Sequence, residues 1–138
     1  MRETIEKQEV REIAKDRLLV EADSFFASGC RLIQICALKN EGRIELDYSF
    51  GKDFGMTTLR FIVAPGESVP SVSHIWRGAF LYENEIQDLY GVTIDNLAVN
   101  YGGAFYDVAK PHPFAPALAP TPVKAPEAAT AKKSEIEA

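Results

Sequence analysis

A chain of 138 residues, 46% apolar and 25% charged, has the length of one domain and the composition of an ordinary globular protein. Its net charge of −5 argues against partners gripped through basic patches, nucleic acid and anionic bilayer surfaces among them. No stretch approaches the ~18–20 continuous apolar residues of a membrane-spanning helix, and the charged opening MRETIEKQEVREIAKDR lacks the apolar run of a secretion signal.

In chain order, Gln8–Ile13 reads as a short edge strand. Lys15–Gly29 reads as a helix, because Leu18, Leu19, Ala22, Phe25 and Phe26 recur at three- and four-residue spacing and Gly29 suits its C-terminal cap. RLIQICAL, Arg31–Leu38, is nearly all apolar and predicts a strand covered on both faces. After a turn at KNEG, RIELDYSF alternates strictly, with Ile44, Leu46, Tyr48 and Phe50 inward and Arg43, Glu45, Asp47 and Ser49 outward. TTLRFIV, Thr57–Val63, follows the turn GKDFG as a further strand. Strands so closely linked predict an antiparallel meander with helices on one face, an α+β architecture. The two cysteines, Cys30 and Cys36, lie about 20 Å apart along one strand, too far for a disulfide. They are expected to be buried thiols in a reducing compartment.

The loop APGESVPSVSHIW leads into a helix from about Gly78 to Tyr90, stopped by Gly91. At about 100° per residue, Ala79, Tyr82, Glu83, Ile86, Leu89 and Tyr90 form one stripe. Glu85 and Asp88 fall on the opposite side with Leu81 between them, and Phe80 is also off the stripe. Apolar residues on two sides of a helix predict a second covering surface, read here as another protein. Glu83 and Glu85 diverge by roughly 160° and cannot share a substrate. Glu85 and Asp88 share a face, but no His accompanies them in the helix, and ion pairing in docking is the expected role. Glu83 sits on the apolar stripe and needs donors there; Arg60, Arg77 or an arginine of another subunit are the candidates.

From Ala109 onward the sequence holds six of the eight prolines and nine alanines, and apolar periodicity vanishes. The domain is therefore expected to span 1–108, with 109–138 a tail that is disordered alone or extended along a neighbour. His74 and His112 are too far apart in sequence to suggest a metal pair, and YGGAFY at Tyr101–Tyr106 lacks the spacing of a phosphate loop, reading instead as a glycine turn between packing aromatics. Trp76, at the helix entrance, reads as core or interface.

PSVSHIWRGAFLYENEIQDLYGV resembles the signature of the NuoC-like family, the small cofactor-free subunit of the peripheral arm of respiratory complex I. Pro70, Ser71, Val72, Trp76, Ala79, Tyr82, Glu83, Glu85, Asp88, Leu89 and Gly91 match that family's pattern. Arg77, Leu81 and Asn84 depart from its Pro, Trp and Arg. Downstream, NLAVNYGGAFYDVA looks like the corresponding subunit of energy-converting membrane-bound [NiFe] hydrogenases of the Ech type (EchD-like). The resemblance implies a non-catalytic subunit on the cytoplasmic side of the inner membrane, with no cofactor, metal or catalytic residue of its own. Its implied partners are a large catalytic [NiFe] subunit, a small iron-sulfur subunit, a ferredoxin-like subunit and, indirectly, the membrane subunits. The [NiFe] centre and iron-sulfur clusters would belong to those partners. The expected interface residues are Pro70, Trp76, Phe80, Leu81, Glu83, Glu85, Asp88 and Tyr90. The alternatives are the equivalent subunit of an NADH-quinone oxidoreductase and, more remotely, a small carboxylate-dependent enzyme or a proline-tail adaptor.

Overall fold

The computed structural model describes residues 7–116. Strand β1 (Lys7–Glu12) is followed by a 3₁₀ turn at Lys15–Arg17 and helix α1 (Leu18–Ala27); then come β2 (Arg31–Asn40), β3 (Arg43–Lys52) and β4 (Gly55–Val63). Strand β5 (Ser68–Pro70), helix α2 (Ala79–Tyr90) and β6 (Thr93–Asp95) complete the order. The main sheet runs β1-β4-β3-β2, and β5 pairs with β6 in a second, two-stranded sheet. The expected meander is present as β2-β3-β4, while β1 joins β4 in parallel.

Local chemistry explains the joints. Helix α1 ends in a Schellman arrangement: Gly29, at φ +77°, returns its N–H to the Phe26 carbonyl, and Cys30 N–H reaches the Phe25 carbonyl. Glu41 and Gly42 both have positive φ, so β2 and β3 close through a two-residue turn whose twist suits a hairpin.

The inward set read in β3 is observed, but Ser49, expected outward, is buried and hydrogen-bonds the Thr58 hydroxyl at 2.9 Å. Ile44, Leu46, Tyr48 and Phe50 are buried beside Leu59, Phe61 and Val63 of β4. Helix α1 covers this face with Leu18 and Ala22, while Phe25 stacks on Phe50 at 4.6 Å between centroids. Leu19 and Phe26 lie outside this stripe, so the apolar face of α1 is narrower than its sequence predicts. Helix α2 adds Ala79 and Ile86 to the same core. On the sheet's opposite face Arg60 makes a bidentate pair with Asp47 at 2.9 and 3.0 Å and meets Glu45 at 3.1 Å.

Three expectations are corrected. Strand β2 is an edge strand, not one covered on both faces; its run of apolar residues leaves Leu38 57% exposed. Burial of both thiols does not hold, since Cys36 is exposed and Cys30 only half-buried. Packing also continues past residue 108: Phe114 N–H bonds the Leu89 carbonyl at 2.8 Å, its ring meets Tyr90 at 5.6 Å, and Pro116 is buried. Residues 109–116 thus lie on this chain's own helix, whereas the remainder of the predicted tail lies outside the described residues.

Candidate functional site

The residues singled out in the sequence converge on α2 and the irregular chain around it. Glu83, at zero exposure, points into the core. One carboxyl oxygen accepts the Val72 N–H at 2.8 Å and the other the Ser71 hydroxyl at 2.5 Å. Ser71 lies 2.5 Å from the Ser73 hydroxyl, and Ser73 accepts the Ala98 N–H at 2.9 Å. One donor order satisfies this relay, Ser73 to Ser71 to Glu83. Burial, the largest influence, raises the Glu83 carboxyl above its ordinary value, opposed by the hydrogen bonds from Ser71 and Val72 and by His74. The expected arginine partner is therefore corrected: Arg60 engages Asp47 and Glu45 across the sheet, Arg77 forms no ion pair with Glu83, and neutral donors from the segment before α2 serve instead. Tyr48, buried nearby, has a hydroxyl with no hydrogen-bond partner; burial first and the Glu83 charge second push it well above the usual phenol range.

The other side of α2 is occupied by the chain itself. Asn84 is fully buried, donates to the Phe80 and Val99 carbonyls at 2.7 and 2.8 Å, and accepts the Tyr101 N–H at 3.0 Å. Gln87 accepts the Ile94 N–H at 3.1 Å. Asp88 accepts the Tyr106 N–H at 2.7 Å, and its backbone carbonyl lies 3.1 Å from the His112 ring. Glu85 meets the Tyr106 hydroxyl at 3.4 Å. The expectation that Asp88 faces outward is thus corrected, since it is 2% exposed and fastens residues 101–112 to the helix. An irregular segment must find partners for its own N–H and C=O groups, and the polar residues of α2 supply them.

The remaining predicted interface residues divide. Trp76 is half-buried between Phe26 and Phe50 at 5.3 and 5.6 Å, packed against the core with its indole N–H unpartnered. Pro70 is half-buried on β5, and Tyr90 meets the Phe114 ring at a tilt of 53°. Phe80 is half-buried in a groove with Val99, whereas Leu81 is 47% exposed. Beyond Leu81, Tyr101, Phe105 and Tyr106 form a chain of rings at 5.2 and 5.0 Å, with both tyrosines exposed. The glycine turn read in YGGAFY is present, as Gly102 and Gly103 both adopt positive φ. In the sequence Asn84 stands out only as a departure from the family pattern, and Ser73 and Gln87 not at all. A polar side chain within otherwise packed stretches carries no address for its partner.

As chemistry, the arrangement holds backbone in place. The Glu83 carboxylate is spent on N–H and O–H donors of this chain, and one oxygen of Asp88 on the Tyr106 N–H. Partial burial first, then the charges of Asp47, Glu85 and Glu45, push the Cys36 thiol up, away from the reactive thiolate. Among the described residues no group of three His, Cys, Asp or Glu is placed to hold a metal, and no helix is long and apolar enough to cross a membrane.

The family described as respiratory-chain NADH dehydrogenase, 30 Kd subunit, matches residues 5–100. Among solved structures, a chain of the membrane-bound sulfane sulfur reductase, an archaeal respiratory membrane complex, superposes with a TM-score of 0.58 at 22% identity, covering 73% of this chain. This chain spans 64% of that relative's length. No curated protein matches.

Proposed function

Because the chain belongs to the family of the respiratory-chain NADH dehydrogenase 30 Kd subunit, we propose that it is a structural subunit of a complex I-like oxidoreductase assembly. The observation that carries this reading is the use of α2. Its acids and amides hold the chain's own backbone, while Leu81 on the helix and Tyr101 and Tyr106 on the segment it fastens stay exposed. Aromatic residues on a rigid support suit protein recognition, because they supply contact area at small entropic cost. The subunit supplies no reacting group; it fixes a neighbour's position on the cytoplasmic side of the membrane, so that distances between that neighbour's redox centres stay constant.

The finer reading is membership of an energy-converting [NiFe] hydrogenase, with the nickel centre and iron-sulfur clusters in the large, small and ferredoxin-like subunits. Its support is the likeness of Asn96–Ala109 to the Ech-type subunit. A second reading, the equivalent subunit of an NADH-quinone oxidoreductase or other respiratory complex, draws on the fold shared with a chain of the membrane-bound sulfane sulfur reductase, an archaeal respiratory membrane complex. Affinity purification of the tagged chain from its native membranes, followed by mass spectrometry and nickel analysis, separates the two. A nickel-bearing large subunit supports the hydrogenase, a complete assembly without nickel supports the second reading, and recovery of the chain alone refutes both. Leu81→Glu is expected to leave the fold intact and sharply reduce recovery of the partners.

A further inference from the structure

Between the entrance of α2 and the chain that follows β6 lies a groove of about 370 Å³, walled by Ser73, His74, Arg77, Phe80, Ala98 and Val99. Phe80 is half-buried there and Val99 is 45% exposed, so apolar surface meets solvent on both sides of it. The two walls are fastened to each other. Ser73 Oγ accepts the Ala98 N–H at 2.9 Å, and His74 donates a ring N–H to the Asn96 carbonyl at 2.7 Å. Asn84 donates to the Phe80 and Val99 carbonyls at 2.7 and 2.8 Å. These bonds fix the spacing of the walls, and no described residue covers the apolar lining.

The charge of this groove is opposite to that of the chain. Net charge overall is −5, yet residues 68–82 and 96–106, which supply both walls, contain no Asp or Glu. Arg77 is exposed at the groove and forms no ion pair among the described residues. Arg60, which borders a smaller cleft on the sheet, is by contrast committed to Asp47 and Glu45. Helix α2 begins beside Arg77 with no capping side chain and no acid in its first turn, so the positive end of its dipole adds to the same field. The nearest acids are engaged elsewhere: Glu83 is turned into the core, Asp95 accepts the Ser68 hydroxyl, and Glu85 meets the Tyr106 hydroxyl.

We infer that this groove seats a segment of the neighbouring subunit carrying an Asp or Glu beside a large apolar residue. The apolar side chain enters between Phe80 and Val99, and the carboxylate pairs with Arg77. This rests on the subunit reading above and specifies what the neighbour presents at one contact. A guanidinium offers a carboxylate two parallel N–H donors, while its stem lies along apolar surface such as Phe80 supplies. A phosphate polymer would need several cations, and the groove offers one arginine. Leu81 follows Phe80 on the helix and Tyr101 lies shortly after Val99, both exposed, so the groove adjoins the surface already assigned to the neighbour.

The test compares Arg77→Glu, Arg77→Lys and Val99→Asp in the tagged chain purified from its native membranes. Both positions are exposed, so each variant is expected to melt within about 2 °C of the native chain. Arg77→Glu and Val99→Asp should each recover about tenfold less of the partner subunits, and Arg77→Lys at most about twofold less. In the Arg77→Lys complex, a carbodiimide then joins the introduced amine to a carboxylate in contact with it. Mass spectrometry of the linked peptides is expected to find an Asp or Glu of the partner with a large apolar residue within one helical turn of sequence. A link only to acids of this chain, in its own tail at Glu127, Glu135 or Glu137 or in a second copy, would overturn the inference. Full partner recovery by Arg77→Glu would overturn it too, as would equal losses from Arg77→Glu and Arg77→Lys; both results leave the subunit reading intact. That reading fails separately if the native chain recovers no partner.

Discussion

Replacing Glu83 tests the account of α2 most directly, because the structure gives its carboxyl two donors and no cation. Glu83→Ala removes one buried methylene, worth about 0.8 kcal/mol, together with the carboxyl group. It also strands the Val72 N–H in a fully buried position, at about 1–3 kcal/mol. Relief of a buried carboxyl returns part of this, leaving an expected loss of about 2 kcal/mol. Glu83→Gln keeps an acceptor for Val72 and should cost no more than about 1 kcal/mol. The pH dependence has a definite sign. Burial raises the carboxyl above its ordinary 4.5, so the folded chain holds this proton at a pH where the unfolded chain has released it. Stability should therefore rise as pH falls from the raised folded value toward about 4.5, and Glu83→Gln should remove that slope. Urea unfolding of the 138-residue chain, followed by circular dichroism at about pH 7 and about pH 5, reads both quantities. Equal losses for the two variants, or an unchanged slope in Glu83→Gln, would refute the reasoning. So would strong coupling between Glu83 and Arg60 in a double-mutant cycle, since Arg60 is committed to Asp47 and Glu45.

Asn84→Ala should cost about 2 kcal/mol and speed amide exchange across residues 97–106, because it releases Val99 and Tyr101 together; unchanged exchange would contradict its fastening role. Gly91→Ala should lower the melting temperature by an amount equivalent to about 1–2 kcal/mol, since φ is +70° and an added Cβ would lie 3.0 Å from the His112 ring. An unaltered melting temperature would mean that this turn and ring readjust freely.

The elements were legible where each residue reports its own environment. Alternation in β3 identified the inward set through Ile44, Leu46, Tyr48 and Phe50, and Gly29 and Gly91 marked both helix ends. Partners were not legible, because they depend on chain brought from elsewhere. Asp88 was assigned outward by its angle on the helix, yet Tyr106, eighteen residues later, covers it. Glu83 was assigned an arginine because buried carboxyls usually need charge, but Ser71 and Val72, immediately before α2, supply enough donors. The apolar run of β2 implied burial on both faces, although sheet order places it at an edge. Apolar content does not reveal whether the cover lies within the same chain.

That last distinction bears on how α2 divides its surface. Ala79, Glu83 and Ile86 hold it to the core, and Asn84, Gln87 and Asp88 hold the segment 94–106 to it. Leu81 belongs to neither set and stays exposed. With its two flanks fixed by side-chain hydrogen bonds, the helix has little freedom to reorient, and neither has the aromatic segment attached to it. A neighbour docking there meets a surface whose ordering cost was met during folding, which favours tight association from modest contact area. Loosening Asn84 should therefore weaken partner recovery without touching any exposed residue, whereas Leu81→Glu should weaken it with no change in amide exchange at 97–106. If both variants affected exchange alike, support and contact would be one surface, and this division of the helix would be wrong.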